Sequence, residues 1–128
     1  MLYESVGGLL AQAGLGTLGT NILATLPDRP DEAIAIREYP GSPPIHHKTA
    51  HDPALRRPRF QVVARSSGYG AARTRAHSAY NALSGFTGTI DGVYYSIRAL
   101  QEPFPLGTDE SGRHMWTVNF EVLQGGGS

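Results

Sequence analysis

Residues 14–41 read GLGTLGTNILATLPDRPDEAIAIREYPG, and the fold turns on how this stretch is read. An apolar helical pattern ends at Gly14, and a glycine- and threonine-rich connection follows. The chain then turns at Pro27-Asp28-Arg29-Pro30-Asp31 and enters an isoleucine-alternating strand. Gly14, Gly16 and Gly19 satisfy G-x-G-x-x-G. That fingerprint binds a dinucleotide when a strand leads into the glycines and a helix leaves them, so that the helix N-terminus meets the pyrophosphate. Here a helix precedes and a loop follows, with no parallel βαβ unit around them. The glycines read as positive-φ turns of a connection.

Upstream, Leu2, Val6, Leu9, Leu10 and Ala13 share one helical face. Gly7 and Gly8 each weaken that helix by about 1 kcal/mol relative to Ala. In the connection, Leu18, Ile22, Leu23 and Leu26 are apolar anchors, and Ile22 to Leu26 suit one short helical turn. Ala33–Tyr39 is expected as a strand ended by Pro40-Gly41-Ser42-Pro43-Pro44, with residues 42–57 an exposed loop. Arg59–Arg65 is the next strand, placing Phe60, Val62 and Ala64 on one side. Ser66 and Ser67 offer a cap for a helix from about Tyr69 to Leu83. Its buried stripe is Ala72, Ala76, Ala79, Tyr80 and Leu83, and Gly85 ends it.

Asp91-Gly92 between Thr87–Ile90 and Val93–Leu100 is a hairpin signal. Pro103 and Pro105 close that strand, Asp109–Gly112 turn the chain, and His114–Leu123 alternates as a long final strand. The order predicts an α+β fold. It is a mainly antiparallel four- to five-stranded sheet with one long helix on one face and an N-terminal helix. The other face is left for the first helix or a neighbouring subunit. Residues 1–124 form a single domain, and 125–128 a glycine-rich C-terminal tail.

With 128 residues, 40% hydrophobic and 17% charged, the chain supports one core and a lightly charged surface. It has no cysteine, which removes disulfides and thiolate metal sites and suits a reducing cytoplasm. The start, Met1-Leu2-Tyr3-Glu4, lacks the basic lead of a secretory signal. No apolar run approaches the ~18 residues of a membrane span. The formal net charge is zero, so no global attraction to nucleic acid or membrane is expected. Locally, Arg56, Arg57, Arg59, Arg65, Arg73 and Arg75 follow one another with no acid between Asp52 and Asp91. Arginine is favoured at protein interfaces.

Motifs for chemistry are weak. His46, His47 and His51 beside Asp52 present metal-ligand types, but in a segment without fixed ligand directions, and they read as a solvated loop. Ser66-Ser67-Gly68 precedes a helix but lacks the G-x-S-x-G elbow. Acid pairs Asp31-Glu32 and Asp109-Glu110 sit at turns. Phe60, Tyr94, Tyr95, Trp116 and Phe120 read mainly as core, without the RNP1 pattern of RNA-recognition domains. Catalytic, cofactor-binding and metal residues are expected to be none.

Leu15-Gly16-Thr17-Leu18-Gly19-Thr20-Asn21, then Leu26 through Ile36, then Tyr39-Pro40-Gly41 carry a resemblance, together with Pro58 to Val62, Tyr80 to Leu83, Ile97 to Pro103, Asp109 to Gly112 and Val118 to Val122. In this order they resemble the bacteriophage minor capsid or tail terminator proteins. The resemblance implies a virion protein, assembled in the bacterial host cytoplasm, that forms a homo-oligomeric, sixfold ring at the head-proximal end of the tail. Its implied partners are itself, the tail tube protein and a head-completion or connector protein. DNA passes through the ring without specific binding, no membrane is involved, and no cofactor is used. An adaptor for head closure or tail completion is the neighbouring alternative. A small α+β ligand-binding domain or enzyme is the alternative of another class. The expected contact residues are Leu15, Thr17, Asn21, Asp28, Arg29, Arg56, Arg57, Arg59, Arg65 and Arg73.

Overall fold

The computed structural model of the chain describes residues 2–45 and 55–125. The described elements run α1 (Leu2–Gln12), β1 (Ile22–Leu23), β2 (Ala33–Ile45), β3 (Leu55–Ser66), α2 (Tyr69–Leu83), β4 (Thr87–Ile90), β5 (Val93–Ala99), β6 (Phe104–Thr108) and β7 (His114–Gly125). They form an α+β domain around a mixed seven-stranded sheet of order β1-β2-β3-β7-β5-β4, with β6 also paired to β7.

Strand β7 is the axis of this sheet. One of its edges pairs with β3, from Ser66↔His114 to Arg56↔Gln124. Its other edge is shared. β6 takes the first half, up to Phe104↔Thr117, and β5 takes the second, from Ala99↔Phe120 to Tyr94↔Gly125. The two-residue period of β7 places Trp116, Val118, Phe120 and Val122 in the core. Phe60 lies directly opposite Phe120 in the register, and their rings stack with centroids 4.9 Å apart.

The alanine stripe of α2 (Ala72, Ala76 and Ala79, with Leu83) is fully buried on this side. Small side chains let the helix lie close to the sheet. α1 adds Leu2, Val6 and Leu10 to the same apolar cluster. Its Tyr3 hydroxyl donates to the Ile22 carbonyl (3.0 Å), and Ser5 Oγ meets the Tyr95 hydroxyl at 3.2 Å. Both helices therefore cover one face, and the second face does not receive α1. Among the described residues no helix is long and apolar enough to cross a membrane.

The hairpin at Asp91-Gly92 forms as the sequence indicates. Ile90 pairs with Val93, and both turn residues have positive φ, 50° and 80°, as a two-residue type I′ turn requires. Gly14, Gly16 and Gly19 also take positive φ, in a connection preceded by a helix.

Other expectations need correction. The sheet has seven strands, where four to five were expected, and its mixed character comes from the parallel pairing of β1 with β2. Ile22-Leu23 form that short strand in place of a helical turn. Pro40, Pro43 and Pro44 do not end β2, which runs to Ile45 with register shifts after Tyr39 and Ser42. β1 covers only Ile34 and Ala35 of its outer side, and an edge strand tolerates residues that cannot donate. β6 lies where Pro103 and Pro105 were read as a stop. The N-cap of α2 is Gly68, without a side-chain cap. Ser66 Oγ instead accepts from the Gly68 N–H at 3.2 Å. The His46-His47-His51 segment lies outside the described residues.

Close packing of α2 makes a direct prediction. Ala76→Leu forces a branched side chain against the sheet and lowers the stability by about 1–3 kcal/mol. Ala71→Leu, on the exposed side of the same helix, changes it by less than about 0.5 kcal/mol. Urea unfolding midpoints separate the two.

Candidate functional site

With both helices on one side, the opposite side of the sheet carries no helix among the described residues, and its alternate positions are mostly polar. On β3 these are Arg57, Arg59, Gln61, Val63 and Arg65; on β7 they are Thr117, Asn119, Glu121 and Leu123. Two clusters organise the face.

The first sits where β3 ends and β7 begins. Arg113 reaches into the Pro27–Asp31 turn. Its Nε donates to Asp109 Oδ2 at 2.8 Å, Nη1 to Asp31 Oδ1 at 3.1 Å and to the Asp28 carbonyl, and Nη2 to Asp28 Oδ1 at 3.4 Å. Arg65, only 3% exposed, donates to the Asp31 carbonyl (3.2 Å) and the Pro30 carbonyl and lies 3.9 Å from Asp109. Asp109 Oδ1 accepts from the Ser111 and Arg113 N–H groups, closing the 109–112 turn. Next along, Glu32 accepts from Ser66 Oγ and from the Ser67 N–H, with Arg75 at 3.8 Å. The loop is thus fastened by guanidiniums on one side and by the β3–α2 junction on the other. Ala33, Ala35 and Val63 are buried at this end of the otherwise open face.

These contacts decide the charge states. Burial pushes the Asp109 carboxyl up, but the hydrogen bonds from Arg113 and Ser111 together hold it below the ordinary carboxylate value. Burial likewise raises Glu32, and Ser66, Ser67 and Arg75 outweigh it, leaving a net lowering. Arg65 is lowered from its usual value, first by burial and then by Arg113 beside it.

The second cluster lies at the far end of the same face. Glu121 is 6% exposed and carries two arginines. Arg98 donates to Oε1 from Nε (3.2 Å) and Nη2 (2.6 Å), and Arg59 donates to Oε2 from Nε and Nη2, both at 3.4 Å. The Arg98 hydrogen bonds are the main cause that holds the Glu121 carboxyl below its usual value. Arg57, Ser96, Arg98, Glu121 and Leu123 line a cleft there.

A model of the bacteriophage tail terminator proteins matches residues 9–124, which take in β1 to β6, β7 up to Gln124, the whole of α2 and the end of α1. The chain belongs to the bacteriophage tail terminator family. A chain from a structure titled "Virion of native gene transfer agent (GTA) particle" has a similar fold, with a TM-score of 0.68 at 16% identity. The match covers 98% of this chain and 95% of that one. None of the curated proteins matches this chain. As a tail terminator family member, the protein is a structural component of a phage tail.

In this tail protein the expected contact residues do not form one patch. Leu15 is half-buried, and its carbonyl accepts from Arg75 at 3.4 Å. Thr17 and Asn21 close their own loop: the Thr17 N–H donates to Asn21 Oδ1 at 2.7 Å. Asp28 and Arg29 are exposed, with side chains 83% and 81% accessible. Arg56 pairs with Gln124 in the β3–β7 ladder. Arg57 and Arg59 lie in the second cluster. Arg65 is enclosed in the first, where its guanidinium meets the Pro30 and Asp31 carbonyls and Asp109 of its own chain. Arg73 is exposed on α2, 5.9 Å from the Trp116 ring.

Arg98, Arg113 and Glu121 were not singled out from the sequence. The i,i+4 spacing of Asp109 and Arg113 was a usable signal for one of them. The lone acid of β7, at a non-core position, was the signal for Glu121.

Acid should loosen both clusters. Glu32, Asp109 and Glu121 have folded values below their unfolded ones. Their contribution is complete above the ordinary carboxylate range and drains away as pH falls through the lowered folded values. Unfolding midpoints measured from neutral to acid pH should fall, and more shallowly in Asp109→Asn and Glu121→Gln. Arg113→Ala should speed amide exchange at residues 28–34 while leaving α2 protected, whereas Arg113→Lys, without the planar fork, should restore only part of the protection.

Proposed function

We propose that the protein assembles as a homo-oligomeric ring of six copies, which caps the tail tube and joins it to the head-completion proteins of the neck. The observation that carries this reading is the family match over residues 9–124. The occurrence of a chain of similar fold in a gene transfer agent virion supports a place inside a particle. The role is one of shape. One face of the ring repeats the tube's own contacts and the other does not, so a head-to-tail stack stops growing. A loop fastened by buried arginines suits such a part, because a rigid surface keeps its fit.

DNA passes through the ring without specific binding. Strong phosphate contacts would slow its passage, since affinity rises with each charge neutralised. The zero net charge of the chain supports this reading. The contacts with neighbours come from the exposed parts of the 15–31 segment and from Arg57, Arg59 and Arg73. Assembly takes place in the host cytoplasm, and the finished ring stays at the head-proximal end of the tail.

Light scattering after size exclusion should give a mass several times that of the protomer, either for the free protein or after addition of tail tubes. A chain that remains monomeric in both conditions contradicts the ring. Deleting the gene should give overlong tails. Normal-length tails detached from heads would assign the protein to the adaptor role instead.

A further inference from the structure

A sheet margin is a row of backbone donors and acceptors without strand partners. Among the described residues the sheet has margins at β1, at the part of β2 that β1 leaves uncovered, at β6 and at β4. β1 has two residues, and β6 is interrupted by Pro105 and a register shift. β4 has neither device. Thr87-Gly88-Thr89-Ile90 holds no proline and no charge, and Thr87 and Thr89 are exposed. On the β5 side, the Phe86 carbonyl accepts from the Ile97 N–H at 2.8 Å, and Ile90 pairs with Val93 across the two-residue turn. Residues 86, 88 and 90 therefore bond inward, and the N–H and C=O groups of Thr87 and Thr89 point away from β5. On β2, the Ile34 N–H donates outward to the Asn21 carbonyl at 2.8 Å, so Ile36 and Glu38 turn their groups to the same side. The pairing with β1 stops at Ala35, and the chain is free of proline from Ile36 to Tyr39.

We infer that β4 of one copy adds to β2 of the next copy, joining their sheets into one belt. This contact rests on the ring reading and specifies it. Direction and register both agree. Four antiparallel pairings (β2–β3, β3–β7, β7–β5 and β5–β4) separate the two strands, so β2 and β4 run the same way. Copies related by rotation about an axis along the strands therefore meet in parallel, the sense in which β1 already lies on β2. Thr87 then stands opposite Arg37, and Thr89 opposite Tyr39. In that register the Thr87 N–H donates to the Ile36 carbonyl, the Glu38 N–H to the Thr87 carbonyl, and the Thr89 N–H to the Glu38 carbonyl. The same register sets Phe86, which packs against the apolar cluster, beside Ile36, which belongs to it, so the helix-covered faces are continuous. A slip of two residues runs into β1 in one direction and in the other into Pro40, which has no donor. The contact is heterologous, and closing the ring leaves neither of these two margins bare.

The chain has no cysteine, so Thr87→Cys combined with Arg37→Cys places one thiol at each margin. Within one chain the two positions are four strand spacings, about 19 Å, apart, too far for a disulfide. Between copies they face each other. Mild oxidation of the assembled double variant should give a ladder of covalent multimers up to the full ring on non-reducing gels, and a mixture of the two single variants should stop at dimers. Thr89→Pro removes an outward donor that β5 does not use, whereas Thr89→Val keeps it. Thermal melts followed by circular dichroism check that both fold, and the cysteine pair decides the matter if the proline variant does not. Loss of that donor at every interface should raise the protein concentration at half-assembly by about tenfold, and Thr89→Val should leave it unchanged. Rings that form without cross-linking, or a folded Thr89→Pro that assembles like the wild type, overturn this contact and leave the ring reading standing. If Thr89→Pro keeps the ring but no longer binds tail tubes, β4 serves the tube and the inference fails. A wild-type chain that stays monomeric both free and on tail tubes overturns the ring reading and the contact together.

Discussion

The hydrogen bonding of β7 along both of its edges is the constraint that the remaining architecture obeys. β3 runs the length of one edge, and β6 and β5 divide the other. A central strand cannot slip by one residue without sending its whole apolar set to the opposite face. Phe120 against Phe60 holds the register on the core side. That register then places Glu121 between Arg59 and Arg98 on the other side. The polar arrangement of the open face thus follows from the packing of the buried one.

Both polar clusters are built on arginine, and the chemistry explains the choice. A buried charge is costly unless it is paired and hydrogen-bonded. A guanidinium offers five donors in a fixed plane, so Arg113 can serve Asp109, Asp31 and Asp28 at once. An ammonium would serve fewer partners with less directional control. The result is an irregular loop that keeps a defined shape without regular secondary structure of its own.

The elements legible in the sequence were those with a strong period or a specific turn. α2 matches its alanine stripe from Tyr69 to Leu83, the Asp91-Gly92 hairpin matches its dipeptide, and β7 matches its alternation. What stayed hidden depended on contacts between distant residues. β6 follows Pro103 and contains Pro105 and Gly107, and it is a strand because β7 offers it an edge. β1 has two residues, too few for any pattern. β2 passes through three prolines because most of its outer side needs no donors. Arg65 looked like a surface residue because alternation put it opposite Ala64. Its burial comes from a loop more than thirty residues upstream. The Asp28 side of the first cluster lay inside the stretch that decided the fold, but its partner Arg113 stands 85 residues away, beyond the reach of local spacing.

The rim formed by β6 has a consequence of its own. Phe104 and Leu106 are exposed there, and no charged residue occurs between Pro103 and Thr108. Bare, apolar margins of this kind invite strands from other molecules to add on without limit, and many proteins guard them with lysine. This chain's guard is imino-acid chemistry: Pro105 withholds a donor, and the register shift between Pro105 and Gly107 bends the margin. The margin thereby carries a built-in protection against fibril-like clumping, one that costs it no charge.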